Sequence, residues 1–268
     1  NGLWGSDAIY LSRSDNNEFQ NLTVSNNLGP GIRLYGSSNN LLSGSVVENN
    51  SGYGVYLYDF SNDNTISNIY IANNSGNGIY LRYWSVNNTF SRNTILANEY
   101  GIYLTEDSKG VIYNSTISNS SQGDIFVQTN SELDLINTSF NKSSIDVSGN
   151  SVLRVKWFMH AEVKDIASLP VDAAEVIVRN ASGEVTGTGL TDADGKVRWI
   201  EVTEFVQEDA KRTYHTPHNV TAIKDVSYGA AVPEPNMSMS REVMITQNMT
   251  KPNTDRIIIE EAPGRGWA

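Results

Sequence analysis

The sequence predicts an all-β protein in which a parallel β-helix of about seven coils precedes an antiparallel β-sandwich. Three observations lead to this fold class. A block of about 23 residues recurs over the first 158 positions, apolar residues alternate inside each block, and the frequency of Asn falls sharply near residue 150. A fixed period of this length is typical of stacked structural repeats.

Each block opens with a short β-prone segment in which two apolar residues flank an outward one. The period-2 pattern predicts a strand. Successive blocks begin 23, 23, 24, 23, 23 and 20 residues apart. The seven opening segments are 9–11, 32–34, 55–57, 79–81, 102–104, 125–127 and 145–147.

Two further apolar rows follow in each block, so that three short strands per coil are expected. One row consists of Phe19, Leu42, Ile66, Phe90 and Ile112, and the next of Val24, Val47, Ile71, Ile95 and Ile117.

Asn also recurs at fixed positions between these rows. Its tolerance of left-handed backbone suits tight corners, and stacked amides can bond along the repeat axis. The predicted columns are Asn17, Asn40, Asn64 and Asn88, and Asn26, Asn49, Asn73 and Asn119, the second being interrupted by Ala97.

The second predicted domain has a different composition and pattern. Asn occurs 26 times in the first 150 residues and five times in the last 118. Longer alternating stretches, including 152–162 and 196–203, indicate antiparallel strands. The expected organisation is a β-helix over 1–158, a β-sandwich over 159–262 and a tail over 263–268.

The repeats resemble the right-handed parallel β-helix family of pectin-lyase-like enzymes and NosD-like surface proteins, whose coils carry the same Gly-Ile-x-Leu and Asn-Asn-x-Ile segments. Segments 171–178 (VDAAEVIV) and 187–197 (GTGLTDADGKV) resemble a carboxypeptidase regulatory-like, or transthyretin-like, sandwich. A β-helix followed by the aromatic strand 157–160 and this sandwich looks like archaeal cell-surface proteins. The resemblance implies a right-handed coil and leaves the activity open.

Composition favours an exported protein at the cell surface. The chain has no Cys and a formal charge of −11, which argues against nucleic acid and anionic membranes as partners. No apolar run reaches the ~18 residues of a membrane span, and no leader begins the chain, so a trimmed piece of a longer product is expected.

The chain is rich in Asn-x-Ser/Thr sequons, the acceptors of N-linked glycans. We therefore expect a glycoprotein. The twelve sequons begin at Asn21, Asn49, Asn73, Asn87, Asn114, Asn119, Asn137, Asn141, Asn180, Asn219, Asn236 and Asn248.

An aromatic stripe is the best candidate for a functional surface. The stacked rings could form a ladder along the sheet, contact another protein or bind a glycan. The stripe comprises Tyr10, Tyr56, Tyr80, Tyr103 and Phe126 in one outward row and Tyr35 and Tyr58 in the next.

No catalytic residue is predicted. Sugar-cleaving β-helix enzymes place two or three carboxylates on one outward row, where general acid and base flank the substrate. The outward row here is aromatic, and Asp59, Asp63, Glu106 and Asp107 fall at turns of different coils. The sequence therefore predicts that the protein is not an enzyme.

No cofactor or metal is predicted either. The three histidines, His160, His215 and His218, are dispersed, and the run 192–195 lacks the downstream Glu of a calcium loop. It reads as a hairpin turn.

These observations favour an extracellular structural protein that self-associates into a surface layer or filament. The alternative is a surface protein that binds or cleaves polysaccharide. The assembly type, the ligand of the stripe and the occupied sequons are left open by the sequence.

Overall fold

The computed structural model describes residues 7–225, 227–231 and 234–246. Within those residues all regular secondary structure is β-strand. The chain divides into two compact units, 1–155 with 206–212, and 156–205 with 213–268. The predicted 263–268 tail and the end of the predicted 159–262 domain lie outside the described residues.

The first unit is a parallel β-helix of three sheets. Its strands in chain order are β1 (Ile9–Ser12), β2 (Glu18–Gln20), β3 (Thr23–Ser25), β4 (Ile32–Tyr35), β5 (Leu41–Ser43), β6 (Val46–Glu48), β7 (Val55–Tyr58), β8 (Thr65–Ser67), β9 (Tyr70–Ala72), β10 (Ile79–Arg82), β11 (Asn88–Ser91), β12 (Thr94–Leu96), β13 (Tyr100–Leu104), β14 (Lys109–Tyr113), β15 (Thr116–Ser118), β16 (Gly123–Val127), β17 (Glu132–Ile136) and β18 (Ile145–Val147).

The first sheet joins β1, β4, β7, β10, β13, β16 and β18, and we number the coils one to seven by these strands. The second sheet begins β2-β5-β8-β11-β14-β17, and the third joins β3, β6, β9, β12 and β15. In the seventh coil β18 joins the first sheet, and the strand that follows it, β19 (Val152–Lys164), follows β17 in the second sheet. The structure therefore has about six turns, one fewer than the seven coils predicted, because the third sheet ends at β15 of coil five.

The register of these sheets follows the sequence repeat. Ile9 pairs with Ile32, Leu42 with Ile66, and each intervening step keeps the same phase. The inward side chains of all three sheets form one apolar core, in which Ile71 and Ile95 are fully buried. The three predicted rows thus lie inside the coil.

Glycine precedes the first-sheet strand where the third sheet approaches most closely. A β-carbon at Gly54 would lie 2.5 Å from Ile71 Cγ2, and one at Gly78 would lie 2.6 Å from Ile95 Cγ2. Such separations are shorter than van der Waals contact, so these corners accept only glycine without rearrangement.

Two amide ladders run along the β-helix. In one, Asn17 Nδ2 donates to Asn40 Oδ1 at 3.0 Å, and Asn40 and Asn64 donate in turn to Asn64 and Asn88 at 3.0 and 3.1 Å. This confirms the first predicted Asn column. The ladder is largely buried, and each amide bonds a neighbour instead of water.

The second predicted column does not form a ladder. Asn26, Asn49, Asn73 and Asn119 have φ between 54° and 59° and are exposed at a left-handed corner. The bonded amides are those one residue later, since Asn27, Asn50 and Asn74 donate to Asn50, Asn74 and Asn98. The repeat of Asn-Asn thus combines a corner residue with a ladder residue.

The remaining strands are β19 (Val152–Lys164), β20 (Glu175–Arg179), β21 (Val185–Leu190), β22 (Lys196–Glu208), β23 (Lys211–Tyr214), β24 (Asn219–Lys224), β25 (Ser227–Ala230) and β26 (Arg241–Thr246). In the second unit, β21-β20-β24-β25 form a small antiparallel sheet, and β26 pairs with β19 in parallel. The small sheet does not establish the predicted β-sandwich, which stays a prediction. No helix of the described residues could span a membrane.

Candidate ligand-binding surface

The outer face of the first sheet carries the predicted aromatic stripe. Parallel register aligns Tyr10, Arg33, Tyr56, Tyr80, Tyr103 and Phe126 in one outward column. Tyr35, Tyr58 and Arg82 align in the next. The structure therefore brings all seven predicted aromatic residues onto one face.

The middle of the stripe is a closed ladder. The Tyr56 and Tyr80 rings stack with centroids 4.8 Å apart and planes at 11°, while Tyr53 packs edge-on against both at 5.1 and 5.0 Å. The exposed fractions of Tyr56 and Tyr80 are only 8% and 9%. Burial raises the pKa of Tyr56 to about 12 and that of Tyr80 further. These rings stabilise the face and offer little surface to a ligand.

The far end of the stripe repeats this packing. Tyr103 and Phe126 stack at 4.5 Å, and Tyr100 packs against both. Tyr10, at the near end, is by contrast 48% exposed.

The two arginines among these rings are already paired. Arg33 lies 5.8 and 5.7 Å from the centroids of Tyr10 and Tyr56, and its Nη2 lies 2.9 Å from Asp7 Oδ1.

Arg82 binds Glu106 through two atoms, Nε to Oε2 at 2.7 Å and Nη2 to Oε1 at 3.2 Å. Its guanidinium also lies 4.3 Å from the ring centroid of Tyr83. A bidentate pair of this kind satisfies the cation internally.

A second aromatic group lies at the turn that leaves the first sheet. A ladder serine marks this turn in every coil from one to six, since Ser14 N donates to Ser37 Oγ and Ser37 N to Ser61 Oγ. Counted from the register-aligned apolar residues Ile9, Ile32, Val55, Ile79, Ile102 and Ile125, the serine lies five positions later in coils one and two and six positions later in coils three to six. Coils three to six thus contain one additional residue. These additional residues are Phe60, Trp84, Asp107 and Asn130.

Phe60 and Trp84 form an exposed stacked pair, which we call the turn pair. Their ring centroids are 5.4 Å apart and their planes differ by 10°. They are 54% and 48% exposed. Tyr83 lies beside Trp84, with a centroid distance of 6.4 Å.

The turn pair also has an unusual backbone. Phe60 has φ of 62° and Trp84 of 54°, in the left-handed region that bulky residues rarely occupy. The sequence analysis missed this pair because it followed only the strand rows. The step of 24 residues between the third and fourth blocks was the available signal.

The acids of the turns do not form an obvious catalytic pair. Glu106 is bound to Arg82, and Asp107 accepts a hydrogen bond from Asn130. Asp59 and Asp63 lie at left-handed corners of coil three.

The β-helix sequons lie at corners of the coil. Asn21, Asn49, Asn73, Asn87, Asn114, Asn119 and Asn137 all have left-handed backbone, and all but the partly buried Asn137 are exposed.

Asn141 and Asn236 are exposed and Asn219 is partly buried, while Asn248 lies outside the described residues. Asn180 is buried, and its side-chain amide donates to Glu184 and accepts from Ser182.

The histidines form no metal site in the described residues, where no suitable group of three His, Cys, Asp or Glu occurs. His160 Nδ1 accepts from the backbone N–H of Trp199 at 3.2 Å. His218 is buried and neither ring nitrogen has a hydrogen-bond partner among the described residues, and this burial lowers the pKa of His218 to about 4.

Residues 2–155 match the family model described as "Right handed beta helix region". The chain belongs to the right-handed β-helix family. This confirms the right-handed coil that the resemblance implied. No curated protein matches the chain.

Solved structures of the periplasmic alginate epimerase AlgG resemble the β-helix. A double mutant matches with 19% identity and a TM-score of 0.45, covering 55% of this chain and 41% of that one. The unmutated enzyme matches with 19% identity and a TM-score of 0.43, covering 55% and 42%. The chain thus spans about two fifths of the length of these structures, and a likeness of this size shows the fold alone.

The prediction that the protein is not an enzyme is corrected at this point, because the similar solved structures are those of an enzyme. The prediction relied on the lack of paired carboxylates on the outward row and on the placement of Asp59, Asp63, Glu106 and Asp107 at turns of different coils. Neither feature excludes catalysis. The epimerase activity itself belongs to the similar proteins.

Proposed function

We propose that the protein binds polysaccharide on its β-helix, with the turn pair as the principal stacking surface. The observation that carries this proposal is the exposure of two stacked aromatic rings on strained backbone. Aromatic planes are well suited to sugars, because the C–H face of a pyranose ring packs against them while its hydroxyl groups remain in water.

The turn pair is costly to the folded state in two ways. Left-handed backbone destabilises a residue with a β-carbon by about 1–2 kcal/mol. The rings also leave much of their apolar surface in water. Strained residues of this kind concentrate at ligand sites, and the equivalent corner in coils five and six carries only Asp107 and Asn130.

The covered part of the stripe supports this site. Stacking of Tyr56 on Tyr80 holds coils three and four rigidly, and the same two coils carry Phe60 and Trp84. A rigid platform reduces the entropy lost when a flexible glycan chain binds.

Binding is tested by titrating the full chain with soluble neutral polysaccharides and polyuronates in calorimetry and affinity electrophoresis. Trp84→Ala should weaken binding at least about tenfold, since stacking on one ring contributes on the order of 1.4 kcal/mol or more. Trp199→Ala is the matched control, because Trp199 is also exposed and has φ of 64° but lies in the second unit. The proposal fails if no polysaccharide binds, or if both variants lose affinity equally.

Catalysis on polysaccharide is tested with the same materials. Reducing ends, unsaturated ends and changes in uronate composition are measured against a heat-inactivated control. Activity that depends on Asp59, Glu106 or Asp107 would assign the acids of the turns to the reaction.

The other finer expectations stay predictions. We propose an extracellular, cell-surface location, N-linked glycans at the exposed corner sequons, self-association and a C-terminal sandwich of the carboxypeptidase regulatory-like type. The NosD-like and archaeal resemblances belong here as well. Intact-mass measurement of native protein tests the glycans, and hydrodynamic size tests the self-association.

A further inference from the structure

The turn pair begins abruptly at coil three. The backbone N–H groups of Phe60 and Trp84 donate to Tyr83 O and Glu106 O, so each additional residue aligns with the one in the next coil. Coil two has no residue at this position, because Gly36 aligns with Asp59 and is followed directly by Ser37. The stack of rings therefore ends at Phe60.

The missing residue leaves one face of Phe60 without a stacking partner from its own column. Adjacent coils are ~4.8 Å apart, and this spacing matches the separation of stacked rings. Gly36 adds no side chain, and a β-carbon there would have only Asp59 O at 3.5 Å and Arg13 Cγ at 3.6 Å near it. Coil two thus places no ring against Phe60, which is 54% exposed, and leaves an opening at the next level of the stack.

We propose that this opening, which we call the Phe60 slot, binds one neutral pyranose ring of the polysaccharide. The inference rests on the proposed function and specifies its main sugar position. The sugar continues the column formed by Phe60 and Trp84, with its apolar face on the Phe60 ring. Its hydroxyl groups lie toward Arg13 and the polar backbone of the corner.

The charges around the slot select against polyuronates. Asp59 directly precedes Phe60, and Asp15 Oδ1 accepts from the backbone N–H of Ser38 at 2.6 Å, whereas the cation near Gly36 is Arg13. Arg82, on coil four, is occupied by Glu106. A negative net charge repels a polyanion, especially at low salt.

The test fills the slot with the residue type that the protein itself uses there. One Asn is inserted between Gly36 and Ser37, which gives coil two the six-residue spacing of coil six, where Asn130 has φ of 59°. The matched control inserts one Asn between Asn130 and Ser131, at the same corner of coil six, away from Arg13 and Phe60. Thermal unfolding and circular dichroism establish that both variants are folded.

We expect the coil-two insertion to lower affinity for neutral polysaccharide at least about tenfold, as loss of a ring contact would. The coil-six insertion should keep affinity within about twofold, because the Phe60 slot stays open. Polyuronates should bind the wild type more weakly than neutral polysaccharides at low salt, and the Asp59→Asn variant should reduce this difference.

The outcomes separate the slot from the proposed function. If Trp84→Ala loses binding but the coil-two insertion retains it, the slot is wrong and the function stands. If the wild type binds no polysaccharide, the function fails as well. Preferred binding of polyuronates would overturn the neutral ligand.

A second variant decides the matter if the insertion prevents folding. Phe60→Leu keeps an apolar side chain and removes the ring. It should lower affinity for neutral polysaccharide at least about fivefold, and unchanged affinity would overturn the slot.

Discussion

Two stacked aromatic pairs come from the same two coils and have opposite relations to solvent. Tyr56 and Tyr80 stack on the strand at 4.8 Å and are almost completely covered, whereas Phe60 and Trp84 stack at the turn at 5.4 Å and are half exposed. Ring stacking along the coil axis is common to both. The difference shows that position within the coil, and not aromatic character, decides whether a column of rings is covered or exposed to solvent.

The largest effect expected from this comparison is on stability. Tyr80→Ala removes a buried ring that contacts Tyr56, Tyr53 and Tyr103, and should lower the free energy of unfolding by about 3–5 kcal/mol. Urea unfolding measures it. Trp84→Ala is the control and should change stability by less than about 1 kcal/mol. Equal losses would contradict the distinction between the two pairs.

The two Asn columns allow the same comparison between buried and exposed positions for polar side chains. Asn64→Ala leaves Ser37 O and Asn88 Oδ1 without the Asn64 donor, and Asn40 without its acceptor. Buried unsatisfied groups cost about 1–3 kcal/mol each, so a total loss of about 3 kcal/mol is expected in urea unfolding. Asn73→Gly, at an exposed left-handed corner, should change stability by a few tenths of a kcal/mol. A loss of stability at Asn73 as large as that at Asn64 would contradict the assignment of the stabilising ladder to the Asn64 column.

Alkaline titration provides a third test of the covered pair. The pKa of Tyr56 is raised from 10.0 to about 12, chiefly because burial disfavours the phenolate. The folded state therefore holds this proton more tightly, and the stability from it is present below pH 10 and lost as pH rises toward 12. Tyr56→Phe should remove part of this alkaline loss, measured by urea unfolding from neutral to alkaline pH. An identical pH profile for the variant would contradict the assignment.

The smallest effect separates strain from binding at the turn pair. Trp84→Gly removes the strain of a left-handed backbone, which costs a bulky residue about 1–2 kcal/mol. The larger entropy that Gly loses on folding offsets part of this gain. Stability should therefore rise by up to about 1 kcal/mol while polysaccharide affinity falls. Calorimetric unfolding and binding titration on the same sample measure both. A fall in stability would show that Trp84 has a structural role.

The sequence analysis was most successful where a period could be followed. The three apolar rows and the Asn17 column follow from spacing alone, because parallel register transmits the same phase from coil to coil. The second Asn column lies at exposed left-handed corners, and the ladder is formed by the residue that follows each corner, because spacing does not distinguish a corner residue from its neighbour in the ladder. Phe60 and Trp84 were missed for a related reason, as an additional residue interrupts the row pattern.

The sequence by itself determined the β-helix, its handedness through family resemblance, and the face on which the aromatic residues gather. Repetition makes these properties local, because each coil contacts only its neighbours. Only the tertiary structure decided which rings are covered and which are exposed. That outcome depends on Tyr53, which packs over Tyr56 and Tyr80, and on Gly36, which leaves the position beside Phe60 open. Both arrangements arise between different coils, and no single block contains them.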